Sequence, residues 1–253
     1  MTPQQAILLM VAGMLGGALN SVAGGGSFIT FPTLLFTGVP PIPANATNTV
    51  ALWSGVTAST GAYRSKLDVP HRVLIPLLCA SVAGGLGGAY LLLRTPAHTF
   101  MRLLPWLMMA ATLLFIFGRR LAPRRSGVGH DAATPAIVVA TLCQFCIGTY
   151  GGYFGGGVGI VILAMLSAIG MTEIHSMNAL KSALSSTING LAALAFVAAR
   201  VIYWKQAVVM LLGAIVGGYF GARYAQRVPQ PWIRALVILA GTVMTVYFFA
   251  KAY

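Results

Sequence analysis

The chain contains the same series of sequence landmarks twice. Three of them recur at nearly constant spacing, the first pair 131 residues apart and the other two 133 residues apart: 23–27 with 154–158, 45–49 with 178–182, and 84–88 with 217–221. A chance run of glycines would not keep the asparagine segments in step. Duplicated halves interrupted by glycine inside apolar sequence are typical of membrane transporters, which build a site near the bilayer midplane between the halves.

Composition places the chain in a membrane. Hydrophobic residues make up 58% of the sequence and charged residues only 8%, whereas about 25% of a soluble domain is charged. Stretches such as 73–93 and 232–250 are apolar on every helical face, which excludes the alternating pattern of a β-barrel. We therefore predict an all-α polytopic membrane protein.

The apolar segments predict the same set of helices in each half. A helix is followed by a glycine break and a short helix, and three longer helices complete the half. The predicted helices cover roughly 5–22, 27–35, 45–63, 73–93 and 99–118 in the first half, and 134–152, 158–169, 176–199, 206–225 and 231–250 in the second. The short helices cannot cross a core of about 30 Å alone. Each half therefore begins with a broken or re-entrant hairpin that has glycine at its tip.

An odd number of crossings in each half would make the second half enter from the opposite side, so we predict inverted repeats. With the N-terminus outside, ten Lys and Arg residues fall on the inner side and five on the outer, as the positive-inside rule favours. We predict one transmembrane domain over 1–253, with repeat 1 at about 5–118, a linker at about 119–133 and repeat 2 at about 134–253. Both termini are expected outside.

The two glycine breaks are candidate anion sites. Successive glycines permit positive φ angles and leave backbone N–H groups free, and a helix begins directly after each break. The alternative is that glycine serves only close helix packing, which we favour for 84–88 and for Gly213 and Gly217. The predicted contacts at the first break are Asn20, Ser21, Gly24, Gly25, Gly26 and Ser27, and those at the second are Tyr153, Gly155, Gly156 and Gly157.

A polar cluster follows each hairpin. Amide and hydroxyl groups donate to oxyanions without the desolvation cost of a full charge. Asn45 and Asn178 also stand where helix N-caps are expected, so capping and substrate contact both remain open for them. The cluster consists of Asn45, Thr47, Asn48 and Thr49 in the first half and of Asn178, Lys181 and Ser182 in the second.

Lys181 is the basic residue with apolar sequence far to both sides. A cation in such a place is costly unless it faces a cavity, a partner or an anion. It is a candidate counter-charge for the substrate. The alternative is a structural pairing or snorkelling to the membrane surface, since Lys181 is expected only about 7–8 Å along its helix.

The remaining reactive residues predict little chemistry. All four histidines fall in predicted loops, and surface exposure is the simple interpretation, although His175 with Glu173 is a candidate proton relay. Three cysteines in apolar segments are expected to be small buried residues without a disulfide. The sequence has no phosphate-binding P-loop motif and no metal-ligand motif. We expect no cofactor, no metal and no enzymatic activity.

The doubled motifs resemble those of the TauE/SafE family of sulfite exporters and sulfonate permeases. The resemblance rests on residues 24–27 and 155–159, on 45–49 and 178–182, and on the two-repeat layout. It implies a secondary transporter, an exporter, of small sulfur-containing anions such as sulfite, organosulfonates or sulfoacetate, working by alternating access in a bacterial inner membrane. A passive anion channel and a membrane-embedded enzyme or accessory subunit are the alternatives. The implied partners are the anion and the lipid bilayer, without nucleic acid; a homo-oligomer is left open.

Overall fold

A computed structural model describes residues 1–22, 25–63, 67, 69–121, 134–171, 173–224 and 230–253. These residues form ten helices, and they contain no strand. The predicted order of long and short helices is confirmed. The helices are α1 (Pro3–Val22), α2 (Ser27–Phe36), α3 (Pro41–Tyr63), α4 (His71–Arg94), α5 (Ala97–Leu121), α6 (Thr134–Tyr153), α7 (Val158–Ala168), α8 (Ile174–Ala198), α9 (Trp204–Tyr224) and α10 (Gln230–Ala252).

The start of α3 corrects one prediction. The sequence predicted a helix from about residue 45, but α3 begins at Pro41, within a proline-rich segment. The N–H groups of a first helical turn have no partner within the helix, so proline is tolerated there. The first backbone hydrogen bond runs from Ala44 N to the carbonyl of Pro40, at 2.8 Å.

The first hairpin returns to the end of the bundle from which it starts. The side-chain amide of Gln5, early in α1, donates to the carbonyl of Thr37, just after α2, at 3.3 Å. α2 has ten residues, or about 15 Å of helix. In the second hairpin, Ile137 near the start of α6 packs against an apolar cluster that includes Leu166 near the end of α7. Each short helix therefore runs back along part of the longer one before it.

Two long interfaces depend on glycine. A β-carbon on Gly13 of α1 would collide with the carbonyl of Met210 in α9, and one on Gly17 with that of Ala214. The contact numbers rise together along both helices, so α1 and α9 run parallel. Removing the side chain lets two backbones approach closely where lipid offers no hydrophobic driving force for association.

The interface between α4 and α6 is built in the same way. Gly84 lies on the carbonyl of Phe145, and Gly88 on the carbonyl of Thr149, so these helices also run parallel. The predicted packing role of 84–88 is confirmed for Gly84, Gly85 and Gly88, whereas Gly87 has open space beside it. The packing role of Gly213 and Gly217 is also confirmed, because their neighbours are the backbones of Met10 and Met14.

Equivalent helices of the two halves cross in opposite directions. The indole N–H of Trp53 in α3 donates to the carbonyl of Ser186 in α8, at 3.1 Å. Nearer the start of α3, Thr47 accepts a hydrogen bond from the backbone of Tyr203, which lies beyond the end of α8. α3 and α8 are therefore antiparallel. The contact between Trp106 of α5 and the Tyr253 hydroxyl, and that between Thr112 and Gly241, make α5 and α10 antiparallel as well.

The core joins the two hairpins through aromatic rings. The ring of Phe31 in α2 lies 6.4 Å from that of Phe100, 5.9 Å from Phe154 and 6.3 Å from Phe248, between centroids. Phe31, Phe100 and Phe248 are buried side chains of α2, α5 and α10. Phe154 opens the second glycine break. This cluster fixes the position of that break within the bundle.

The outer surface of the described helices is apolar. Within the part of the chain that the structure describes, three helices are long and apolar enough to cross a membrane: His71–Arg94, Pro135–Tyr153 and His175–Ala198. Large apolar side chains such as Leu142, Leu239 and Val246 are more than 60% exposed, as suits contact with lipid. The cysteines were expected to be buried, and this prediction is wrong. Cys79, Cys143 and Cys146 are free and exposed, because they lie on outward faces where their weak polarity is tolerated.

Candidate functional site

Polar side chains beside the first glycine break are hydrogen-bonded to one another. Asn48 in α3 is only 2% exposed, and its side-chain N–H donates to the hydroxyl of Ser27 at 3.2 Å. Its carbonyl oxygen accepts from the hydroxyl of Thr30. Both polar atoms of Asn48 are therefore used to tie α3 to the first turn of α2.

The second glycine break has a different backbone. Gly155 and Gly157 have φ angles of +77° and +75°, which only glycine adopts easily. At the first break, Gly26 has an ordinary φ of −58°, and a side chain is excluded there because it would collide with the carbonyl of Gly16. The two breaks thus need glycine for separate reasons, left-handed backbone at the second and close packing at the first.

The second break presents a run of free N–H groups. Among the described residues, no acceptor is found for the backbone N–H groups of residues 156–159, and Gly157 caps α7 without any side-chain hydrogen bond. Gly156, Gly157 and Val158 are buried. Buried N–H groups normally have a partner. Successive free N–H groups at a helix N-terminus form a concavity suited to an anion.

Tyr150 sets the direction of these N–H groups. Its hydroxyl donates to the carbonyl of Gly156 at 2.6 Å. The carbonyl of Gly156 and the N–H of Gly157 belong to one planar peptide and point in opposite directions. Holding the carbonyl on the tyrosine side therefore turns the N–H of Gly157 away from the tyrosine.

Lys181 in α8 lies against the first turn of α7. Its Cγ, Cδ and Cε atoms would lie 3.4–3.9 Å from a β-carbon on Gly159, so the aliphatic stem fits where Gly159 has no side chain. The side chain is partly buried, and no described residue forms an ion pair or hydrogen bond with its ammonium. Lys181 is seven residues after Ile174, or about 10 Å along the helix. This is deeper than the sequence predicted, because α8 starts earlier.

Asn48 and Lys181 lie on opposite sides of the crossing of α3 and α8. The crossing is marked by Trp53 and Ser186, and each of the two polar residues is five positions earlier in its helix. Five residues span about 7.5 Å of helix axis. Because the helices are antiparallel, the two residues are separated by about 15 Å along the axis. The structure therefore does not bring these two predicted contacts together.

The capping interpretation of Asn45 and Asn178 is wrong, since both lie inside their helices. Asn45 contacts the second break, because its N–H donates to the carbonyl of Tyr153 at 3.0 Å. Its own carbonyl oxygen is buried and has no partner. Asn178 is partly buried on the helix face of Lys181.

The other predicted contacts are distributed around these groups. The Thr47 hydroxyl accepts from the backbone of Tyr203, and the Thr49 hydroxyl donates to the carbonyl of Asn45 at 2.9 Å. Ser182 is buried, and Asn20 and Tyr153 are partly buried. The Tyr153 hydroxyl donates to Thr95 at 3.3 Å. Gly24, the side chain of Ser21 and the linker residues 122–133 lie outside the described residues.

Glu173 and His175 form a helix cap. The carboxylate of Glu173 accepts from the backbone N–H of His175 at 3.0 Å and from that of Ser176. A carboxylate at this position stabilises both the free N–H groups and the helix dipole. The imidazole of His175 is exposed, so the contact between these residues is through the backbone.

The predicted site residues omit two that the geometry brings in. Tyr150 orients the break, and Gly159 makes room for Lys181. The sequence does show that Tyr150 lies close to the glycine run. Its partner is a backbone carbonyl, however, and no sequence pattern reveals that choice.

Comparison with known proteins gives consistent results. The sequence profile of the family described as Sulfite exporter TauE/SafE matches residues 9–248. A probable membrane transporter protein, ORF9, of Sinorhizobium sp. is 30% identical over 86% of this chain and 82% of its own length. A probable membrane transporter protein of Haemophilus influenzae is 28% identical over 85% of this chain and 83% of its own. The probable membrane transporter protein YfcA of Escherichia coli K12 is 28% identical over 86% and 79%.

Proposed function

Because the chain belongs to the TauE/SafE sulfite exporter family, and is thus a membrane transporter, we propose that it exports small sulfur-containing anions such as sulfite and organosulfonates. The observation that carries this proposal is that the N–H groups of residues 156–159 and the side chain of Lys181 lie close together, and that neither has a hydrogen-bond partner among the described residues. Neutral donors and one cation in a low-dielectric setting select for negative charge.

We propose that transport proceeds by alternating access between two inverted repeats, over about 5–118 and 134–253. The antiparallel crossing of α3 with α8 and of α5 with α10 supports inversion. The packing of α1 against α9 also supports it. In the repeats α1 is equivalent to α6 and α9 to α4, and α6 packs against α4 in the same way. Rocking of one half against the other would expose the second break to each side in turn.

We further propose that the chain forms a single domain in the bacterial inner membrane, with both termini outside. The support for the orientation is the excess of Lys and Arg on the inner side of that arrangement. Its partners in this proposal are the anion and the surrounding lipid.

Reconstitution into liposomes tests the proposed function. Purified protein should give saturable flux of labelled sulfite or of an alkanesulfonate, and external unlabelled anion should accelerate exchange of the internal label. A passive channel gives flux without this acceleration. Absence of both flux and thermal stabilisation across a panel of sulfur oxyanions, sulfonates and sulfoacetate would exclude the proposal.

A further inference from the structure

We infer that the second glycine break alone holds the anion, and that it accepts one singly charged headgroup. This inference rests on the proposed function, since it assigns the anion to one of two places that the repeats make equivalent. It is carried by a difference between the breaks in how the side chains around them are hydrogen-bonded.

At the first break, the polar side chains satisfy one another. Asn48 donates to Ser27 and accepts from Thr30, and the pair Asn48 and Thr30 is buried. An anion that bound these side chains would have to break their bonds to gain its own, and such an exchange yields little net free energy. The bulky ring of Phe28, which is 1% exposed, also fills the first turn of α2.

At the second break, the corresponding positions carry Val158, Val161 and Lys181, by the offsets of 131 and 133 residues. The two valines form no side-chain hydrogen bonds, so the lysine has lost the partners that Asn48 has. Phe28 corresponds to Gly159, and the stem of Lys181 occupies the space beside it. Three of these differences remove the internal pairing and introduce a charge, and the fourth, Gly159 in place of Phe28, makes room for the lysine stem.

The number of charges sets the class of ligand. Among the described residues, the one acidic side chain is that of Glu173, which caps the start of α8. Lys181, whose stem lies beside Gly159, supplies one positive charge at the break. One anionic group neutralises it, whereas a second negative charge would stay uncompensated in a medium that stabilises charge poorly. Monoanions such as alkanesulfonates and hydrogensulfite are therefore favoured over dianions such as sulfate and sulfoacetate.

The inference is tested by substituting the polar side chains of the first break at the equivalent positions of the second. The triple variant Val158→Ser, Val161→Thr, Lys181→Asn gives the second break the three hydrogen-bonding side chains of the first, which should then pair with one another. Binding of methanesulfonate and of sulfate to the full chain in lipid nanodiscs would be measured by calorimetry, and the melting temperature would report folding. The matched control is Asn48→Ala at the first break.

We expect the triple variant to fold and to bind methanesulfonate at least about 30-fold more weakly than the wild type. Asn48→Ala should lower the melting temperature and leave the affinity within about threefold. Wild-type protein should bind methanesulfonate more tightly than sulfate. If the triple variant does not fold, Lys181→Met alone serves the same comparison with the same expected loss.

Three results would overturn the inference while the transporter function stands. The first is equal affinity of the wild type and the Lys181 variants. The second is equal losses of affinity from Lys181→Met and Asn48→Ala, and the third is sulfate binding as tight as that of methanesulfonate. If the wild type binds neither these anions nor any member of the sulfur-anion panel, then the proposed function fails as well.

Discussion

The hydroxyl of Tyr150, in the last turn of α6, donates to the carbonyl of Gly156 in the break that follows, at 2.6 Å. The bond fixes one peptide of the second glycine break. Its direction decides where the N–H of Gly157 points. A side chain that the proposed anion does not touch therefore organises the groups that would bind it.

Tyr150→Phe should weaken anion binding and lower stability. The substitution leaves the buried carbonyl of Gly156 without a partner, at a cost of about 1–3 kcal/mol, and frees the peptide to rotate. Thermal unfolding in detergent and anion-induced stabilisation measure the two effects. Tyr153→Phe is the control, because its hydroxyl makes only a 3.3 Å bond to Thr95 and its loss should cost less than about 1 kcal/mol. Equal effects of both substitutions would contradict this role of Tyr150.

Neighbouring glycines in α4 should respond oppositely to alanine. A β-carbon on Gly88 would collide with the backbone of Thr149, whereas one on Gly87 meets nothing within 4 Å. Gly88→Ala should therefore cost about 1–3 kcal/mol through forced separation of α4 and α6. Gly87→Ala should be neutral or stabilise by up to about 1 kcal/mol, since alanine favours helix. Denaturant titration of the two variants measures both, and a stable Gly88→Ala protein would show that this interface is not closely packed.

Much of this arrangement follows from sequence because it depends on local signals. The apolar lengths predict the ten helices, and the glycine runs predict the two interruptions. The start of α3 was mispredicted because proline excludes the interior of a helix but not its first turn. A contact such as that of Lys181 with Gly159, or of Asn45 with Tyr153, joins segments of separate helices. Its geometry is set by tertiary packing, which no local pattern encodes.

Glu173 should stabilise the start of α8, and His175 should have little influence on transport. The carboxylate caps two backbone N–H groups, so Glu173→Ala should lower the unfolding free energy by about 0.5–2 kcal/mol. His175→Ala keeps the backbone donor and should preserve both stability and the pH profile of flux. Flux at several pH values in liposomes gives the comparison. A pH profile flattened by His175→Ala would instead support the proton relay.

Replacing Lys181 separates charge from geometry. Lys181→Gln keeps most of the stem beside Gly159 but removes the ammonium, so anion affinity should fall by about 2–5 kcal/mol with the fold retained. Lys181→Arg keeps the charge on a planar, bulkier group, and should restore binding only in part. Equilibrium binding and transport rates of the two variants would be compared with those of Lys205→Gln, which removes an exposed charge at the start of α9. If Lys181→Gln and Lys205→Gln behave alike, the ammonium of Lys181 only extends to the membrane surface and does not bind the anion. Anion selectivity then rests on the N–H groups of the second break.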